Sequence, residues 1–352
     1  MTTQERFTRM FEHREADRIP IIDEPWRGTL LRWKQEGMPA DVDWRDYFGV
    51  DKLERINVDV SPQYDRKIIE ENDRFVISTT PWGVTMKNFK VPDSTPQFLE
   101  YTIDNPQAWE KAKARMKPDR ERVNWDYLKA NFPQWKADGR WVQGMFWFGF
   151  DVTHSWMAGF ESIIFALVEN PEWVKDMFQT KLDMSIALFD MIWDEGYHFD
   201  SIIFYDDMGY KGSTFFSNKI YAELLQPFHR RAIEWAHNHG IKAHLHSCGN
   251  IMKRVPQLVE IGLDALNPIE IKAGMDLKAL KRDFGDKLVF HGGVDALIMD
   301  KPDKVIPFIE EMIPIVKENG GYIFSSDHSI PNSVSLDTYR QIVEAVKKAG
   351  TY

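Results

Sequence analysis

The sequence predicts an α/β protein, a (β/α)8 TIM barrel with irregular N-terminal additions. Three observations carry that reading. From residue 141 onward, short β-prone apolar runs alternate with helical stretches, the pattern of βαβ units around a parallel sheet. The glycine fingerprints of the nucleotide-binding α/β folds are missing, with no Gly-x-Gly-x-x-Gly after the early strand and no Gly-Lys-Ser. Residues able to do chemistry fall at the ends of successive strands, where a barrel gathers its active site.

The chain has 352 residues, a length that a single elaborated barrel accommodates, and we read 1–352 as one domain. With 43% hydrophobic and 28% charged residues the composition is that of a folded globular protein. Arg and Lys number 44 against 54 Asp and Glu, a net charge of −10 that argues against a nucleic-acid partner. Cys248 stands alone, so no internal disulfide can form and a reducing compartment is expected. No secretory leader or run of ~18 apolar residues is visible, so we expect a cytoplasmic protein without a membrane span.

In chain order, Phe7, Met10 and Phe11 have the spacing of a short amphipathic helix, and Arg18–Glu24 reads as a first strand. Residues 25–140 lack a steady rhythm and are expected to be an irregular elaboration. Within them Phe75–Met86 reads as a hairpin-like pair punctuated by Pro81 and Gly83. Trp141–Trp147 is a strand, followed by a helix from Phe160 that restarts at Pro171. Ser201–Asp207 is the next strand. Ser217 caps a helix running to Gly240. Strands at Ile241–Cys248, Asp264–Glu270, Leu288–Asp295 and Gly321–His328 then alternate with helices ending at Gly262, spanning Pro302–Asn319 and closing over Leu336–Lys348.

The strand ends carry Asp23/Glu24, Asp206/Asp207, His246/Cys248, Glu270, His291/Asp295 and Asp327/His328. In His246-Ser-Cys248 the imidazole and thiol are two apart on a strand and share a face, so both can reach one metal ion. Both are zinc-favouring ligands. A buried free cysteine beside a satisfied histidine reads equally well. With no second cysteine, a third ligand comes from His328, Glu270 or His291. His244, two residues deeper, reads as a core or supporting group. His237 and His239 read as caps of a helix end. Asp206 and Asp207 suggest a general acid/base, although neighbours on a strand face opposite ways and only one can face the barrel axis. The aromatic run Met145–Phe150, with Trp156, is either plain core or the wall of an apolar pocket.

Several segments together resemble the uroporphyrinogen decarboxylase superfamily, which includes the cobalamin-dependent methyltransferases. They are Tyr205-Asp-Asp-Met-Gly209, His246-Ser-Cys-Gly-Asn250, Asp264-Ala-Leu-Asn-Pro268, Phe290-His-Gly-Gly-Val-Asp295 and Gly320-Gly-Tyr-Ile-Phe324. The opening, Arg6-Phe-Thr-Arg-Met-Phe11 with Asp17-Arg-Ile-Pro20, is similar as well. The resemblance implies a (β/α)8 barrel. Decarboxylases carry Arg-Gln-Ala-Gly-Arg-Tyr near the N-terminus to grip a polycarboxylate. This chain has Pro25–Trp33 there, with Arg27 and Arg32 at a different spacing. The methylcobamide:coenzyme M type methyltransferases bind zinc through His-x-Cys and a distant Cys in Gly-Cys-Gly-Ile-Pro; here that segment reads Asp327-His-Ser-Ile-Pro331.

The resemblance therefore implies zinc held by His246, Cys248 and His328, with Glu270 as a fourth ligand that substrate displaces. Asp206, Asp207 and His291 are the expected catalytic groups. The implied activity is transfer of a methyl group between a corrinoid on a partner protein and a small thiol, ether or amine. The alternative is cofactor-independent decarboxylation of the uroporphyrinogen type, with Arg27 and Arg32 on the substrate. The exposed aromatic N-terminal region would suit a homodimer.

Overall fold

The structure, a computed structural model, describes residues 1–91 and 94–352. Its first strand is not where the sequence put it. Arg18–Glu24 makes isolated bridges only, at Arg18 with Thr351 and Ile21 with Phe324, and Pro25 just beyond it bridges Ile330. Pro20 and Pro25 lack the N–H a ladder needs, which is why no regular strand forms. The first true strand, β1 (Leu53–Ile56), lies inside the segment expected to be irregular.

That segment is in fact well ordered. Beyond β1 it contains an antiparallel sheet of β2 (Ile68–Glu71), β3 (Phe75–Thr79), β4 (Val84–Phe89) and β5 (Gln97–Tyr101) in sequential order. The β3–β4 pair, with Thr79 opposite Thr85, is the expected hairpin. Helices Arg27–Gln35 and Trp125–Ala137 flank the barrel.

The remaining barrel strands are β6 (Trp141–Phe146) and β7 (Ser201–Tyr205), then, past a small ribbon of β8 (Gly209–Tyr210) and β9 (Ser213–Thr214), β10 (Lys242–His246), β11 (Ala265–Asn267), β12 (Val289–His291) and β13 (Tyr322–Ile323). They form one parallel sheet in the order β1-β6-β7-β10-β11-β12-β13. Residues 19–22 fill the eighth position. Ile22 N donates to Phe324 O (2.9 Å) on one side, and Asp51 N donates to Ile21 O (3.1 Å) on the other. The helix expected from Ser217 to Gly240 is interrupted by a wide turn over Tyr221–Leu225 before Gln226–Asn238. Pro227 explains the break, because it has no N–H for the carbonyl one turn back. No helix among the described residues is long and apolar enough to cross a membrane.

Strand alternation decides what fills the barrel. Leu53, Trp141, Ser201, Ala265, Val289 and Ile323 have inward parity at the lower end. Helix Thr3–Phe11, started by a capping box of Thr2 and Glu5, plugs that end. Its Phe7 and Phe11 rings stack on Trp141 at 5.0 and 5.4 Å. A polar layer lies above, where Gln143 Nε2 is 3.3 Å from His244 Nδ1, so His244 belongs to the core. The upper end is left for Arg55, Tyr205, His246, Asn267 and His291.

Two buried carboxylates tie the irregular eighth stave in place. Asp51 accepts from Arg6 Nη1 (2.9 Å), Arg18 Nη1 (2.6 Å) and Ile21 N (2.9 Å). Asp23 accepts from Ser326 Oγ (2.6 Å) and Ser326 N (3.2 Å) beyond β13. Removing the Asp51 carboxylate leaves Arg18 without its ion-pair partner and Ile21 N without its acceptor, while Arg6 keeps Asp17, so Asp51→Ala should lower stability by about 3 kcal/mol in urea unfolding. Burial raises the Asp23 carboxyl from 3.8 to about 7. The native protein therefore holds a proton that the unfolded chain releases. The stabilisation is complete below about 3.8 and is lost as pH rises through about 7. Over that window wild-type stability should fall by up to ~1.4 kcal/mol per pH unit relative to Asp23→Asn, and parallel pH profiles of the two proteins would refute the assignment.

Candidate active site at the upper end of the barrel

Parallel register sets the first level of the site. Tyr205 pairs with His246, and His246 with Asn267, so three side chains from β7, β10 and β11 form a row. The Tyr205 and His246 rings lie 4.5 Å apart, and His246 Nδ1 is 2.5 Å from Asn267 Oδ1. Two residues further along two of these strands, with the same parity, come Asp207 and Cys248. His246 Nε2 is 3.4 Å from Cys248 Sγ and 3.7 Å from Asp207 Oδ1. The loop is held in turn: Cys248 N donates to Asp207 Oδ1 (2.7 Å) and Gly249 N to Glu270 Oε2 (2.6 Å). Gly249 has φ +83°, and a Cβ there would sit 2.1 Å from the Gly209 carbonyl carbon, so only glycine fits.

Tyr205, Asp207, His246, Cys248 and Asn267 border a cavity of about 290 Å³ together with Arg55, His291 and His328. Burial, then Asp207 and Glu270, pushes the Cys248 thiol well above its ordinary range. Tyr205 is pushed up to about 12 by burial and stays a phenol. His291 is lowered to about 4 by burial, so it is a neutral group in the wall, its Nε2 3.4 Å from Ile22 O.

The structure distributes the other candidate residues differently. Asp207, His246 and Cys248 offer ligand atoms all within 4.8 Å of one another, and this is the one such group of three among the described residues. Tetrahedral zinc with these donors would place them ~3.3–3.6 Å apart, so the donor set suits that ion. His328, expected as third ligand, lies outside the group at the exposed rim, its ring 5.9 Å from Trp26. Glu270 is also outside it, engaged by Gly249 N and 3.7 Å from Lys272 Nζ. Asp207 takes the third place because Tyr205, Asp207, His246 and Cys248 all follow inward parity.

Asp206 points the other way and does not border the cavity. It is fully buried, accepting from His229 Nε2 (2.7 Å) and Asp151 N (2.8 Å). Gly149 makes this packing possible, since a Cβ there would come within 2.3 Å of Asp206 Oδ2. Behind it lies Lys181, fully buried and lowered to about 7 by burial. Of the aromatic run, Phe146, Phe148 and Phe150 are core, while Trp147 stacks on Tyr205 at 6.1 Å. His237 pairs with Asp264 (2.7 Å), and His239 Nδ1 caps the Trp235 carbonyl (2.8 Å). Asp295 caps the turn after β12, and Asp327 accepts from Ala296 N (3.0 Å).

Sequence reasoning missed Arg55, Tyr205 and Asn267. Arg55 belongs to an unrecognised strand and pairs with Glu24 at the cavity edge. Tyr205 and Asn267 lay inside quoted motifs, and strand parity with His246 was the signal that would have found them. Arg27 and Arg32 do not border the cavity. Arg32 binds Glu36 and the carbonyls of Asn332 and Ser333 instead.

The sequence model of the uroporphyrinogen decarboxylase (URO-D) family matches residues 77–349. No curated protein sequence matches the chain significantly. Among solved structures, a methyltransferase from Methanosarcina mazei is similar in fold, with TM-score 0.68, 14% identity and 99% of each chain covered. A B12-independent methionine synthase from Shewanella sp. W3-18-1 gives TM-score 0.42 and 11% identity over 95% of each chain. The family match runs from β3 to the last helix and takes in every strand that carries the clustered site, so the chain belongs to the uroporphyrinogen decarboxylase family.

Proposed function

We propose that this enzyme is a zinc-dependent methyltransferase, moving a methyl group between a corrinoid on a partner protein and a small thiol, ether or amine. The observation that carries the reading is the Asp207–His246–Cys248 group inside a small cavity at the upper end of the barrel. Three protein ligands with a fourth position left for substrate is the arrangement of a catalytic rather than a structural zinc site. A methyltransferase of similar fold adds support.

Zinc, when bound, supplies a Lewis acid that lowers the pKa of a thiol or polarises a leaving heteroatom. The chain's own residues do the rest. Asp207, His246 and Cys248 would hold the ion. Glu270 fixes the loop after Cys248 through Gly249 N, and Lys272 offsets the negative charge gathered there. Tyr205, with its phenol proton retained, covers one face of the His246 ring. His328 at the rim is placed to accept a proton from an incoming substrate.

The cavity is at the lower end of ligand-site volumes, about 290 Å³ against ~300–1,000 Å³ for typical pockets. A corrin macrocycle does not enter such a space, so the methyl group would be presented from outside by a carrier. A porphyrinogen is also large for this space, and neither Arg27 nor Arg32 borders it to grip one. That weighs against decarboxylation.

Protein purified from zinc-supplemented cells should contain about one zinc per chain by elemental analysis, and Cys248→Ala should lose it. Methyl transfer from methylcobalamin to a thiol, followed by absorbance, should fall at least ~100-fold in Cys248→Ala. Negligible zinc in the wild type, with unchanged transfer in Cys248→Ala, would remove this mechanism.

A further inference from the structure

The His246 imidazole can offer only one of its nitrogens as a lone pair in the neutral state, and which one depends on its neighbours. Nε2 faces Cys248 Sγ (3.4 Å) and Asp207 Oδ1 (3.7 Å), while Nδ1 faces Asn267 at 2.5 Å. The orientation of the Asn267 amide is itself determined by the next strand. Its Nδ2 donates to the backbone carbonyl of His291 (3.1 Å), a contact that only the NH2 end of the amide can make. Oδ1 is thereby turned toward His246 and can only accept, so Nδ1 must carry the proton and Nε2 must be bare.

We infer that Asn267 is a positioning residue that locks His246 in the Nδ1–H tautomer, keeping the Nε2 lone pair on the site side before any ligand arrives. The chain of contacts runs His291 O, Asn267 amide, His246 imidazole, and it crosses β12, β11 and β10 in one row. An amide suits this place better than a carboxylate. It fixes the ring without adding a negative charge beside Asp207, Cys248 and Glu270. The inference rests on the proposed metal reading for its purpose, but not for its geometry.

The two are separable by experiment. Nitrogen-15 NMR of histidine-labelled, metal-free protein near pH 8 reads the tautomer directly. The wild type should show His246 with a protonated Nδ1 and a bare Nε2. Asn267→Leu, close in volume but unable to accept, should show the second tautomer or an average of the two. Asn267→Gln, which can restore an acceptor, should recover part of the wild-type signal and covers the case in which the leucine variant fails to fold. A wild-type His246 protonated at Nε2 overturns the inference, as does an unchanged tautomer in Asn267→Leu. Titration with Co2+, followed by the thiolate-to-cobalt absorption band, tests the purpose. Affinity should fall ~10–100-fold in Asn267→Leu, the usual effect of losing a partner of a ligating histidine. A wild type with the expected tautomer but no cobalt band would leave the positioning role standing and overturn the metal reading.

Discussion

Every feature of the site depends on the two-residue alternation of side chains along a barrel strand. Arg55, Tyr205, His246, Asn267 and His291 share inward parity with the apolar residues that fill the lower barrel. Continuing two residues past the strand ends brings Asp207 and Cys248 to the same axis. The same rule sends Asp206 outward, where burial would be costly for a lone carboxylate. The chain meets that cost with His229, the Asp151 backbone and a glycine at position 149 that lets the carboxylate approach. Two adjacent aspartates thus end in unrelated environments, one structural and one in the cavity. A one-residue slip of β7 would exchange them.

Electrostatics then constrain what the cavity can hold. Burial first, and then the nearby Asp207 and Glu270 carboxylates, hold the Cys248 thiol well above its ordinary range. The nearest fixed cation, Lys272, is already shared between Glu270 and Asp327. A thiolate in this setting needs a further positive charge within bonding distance. In the proposed metal reading, a divalent cation would meet that need for Cys248 and Asp207 together, with the His246 imidazole as the third donor.

Much of this was legible in the sequence, and the misses have physical causes. The strands from residue 141 onward are short apolar runs bounded by turn residues, and most lie within a few residues of their expected positions. The row of polar strand ends pointed to the end of the barrel where Asp207, His246 and Cys248 cluster. β1 went unseen because Leu53-Glu-Arg-Ile56 is half charged, its inward arginine belonging to the cavity rather than the core. Arg18–Glu24 looked like a strand because of its apolar run Ile19–Ile22, but prolines deny it a ladder. His328 was assigned as a ligand by the position it holds in a resembling segment. The loop after β13 places it at the rim, and the residue that clusters with His246 and Cys248 is Asp207, from a strand already under consideration. Asn267 carried no signal of its own, since a role that consists of holding another side chain is visible only once the register of β10 and β11 is known.

The irregular eighth stave also shapes access to the site. Among the described residues, no backbone hydrogen bond joins positions 22–24 to positions 53–55, so the wall has a seam above the Ile21–Asp51 contact. A cleft of about 540 Å³ lies outside that seam, and Ile22, Asp23, Glu24 and Arg55 border both it and the inner cavity. The Glu24–Arg55 ion pair stands in the gap. A regular strand would have closed the wall with main-chain bonds and left no place for a side-chain plug. The same prolines that abolish the ladder are thus what allow charged side chains to form part of the cavity wall. The carboxylate–serine and carboxylate–arginine ties of Asp23 and Asp51 then hold, from either side, a stave that its own backbone cannot.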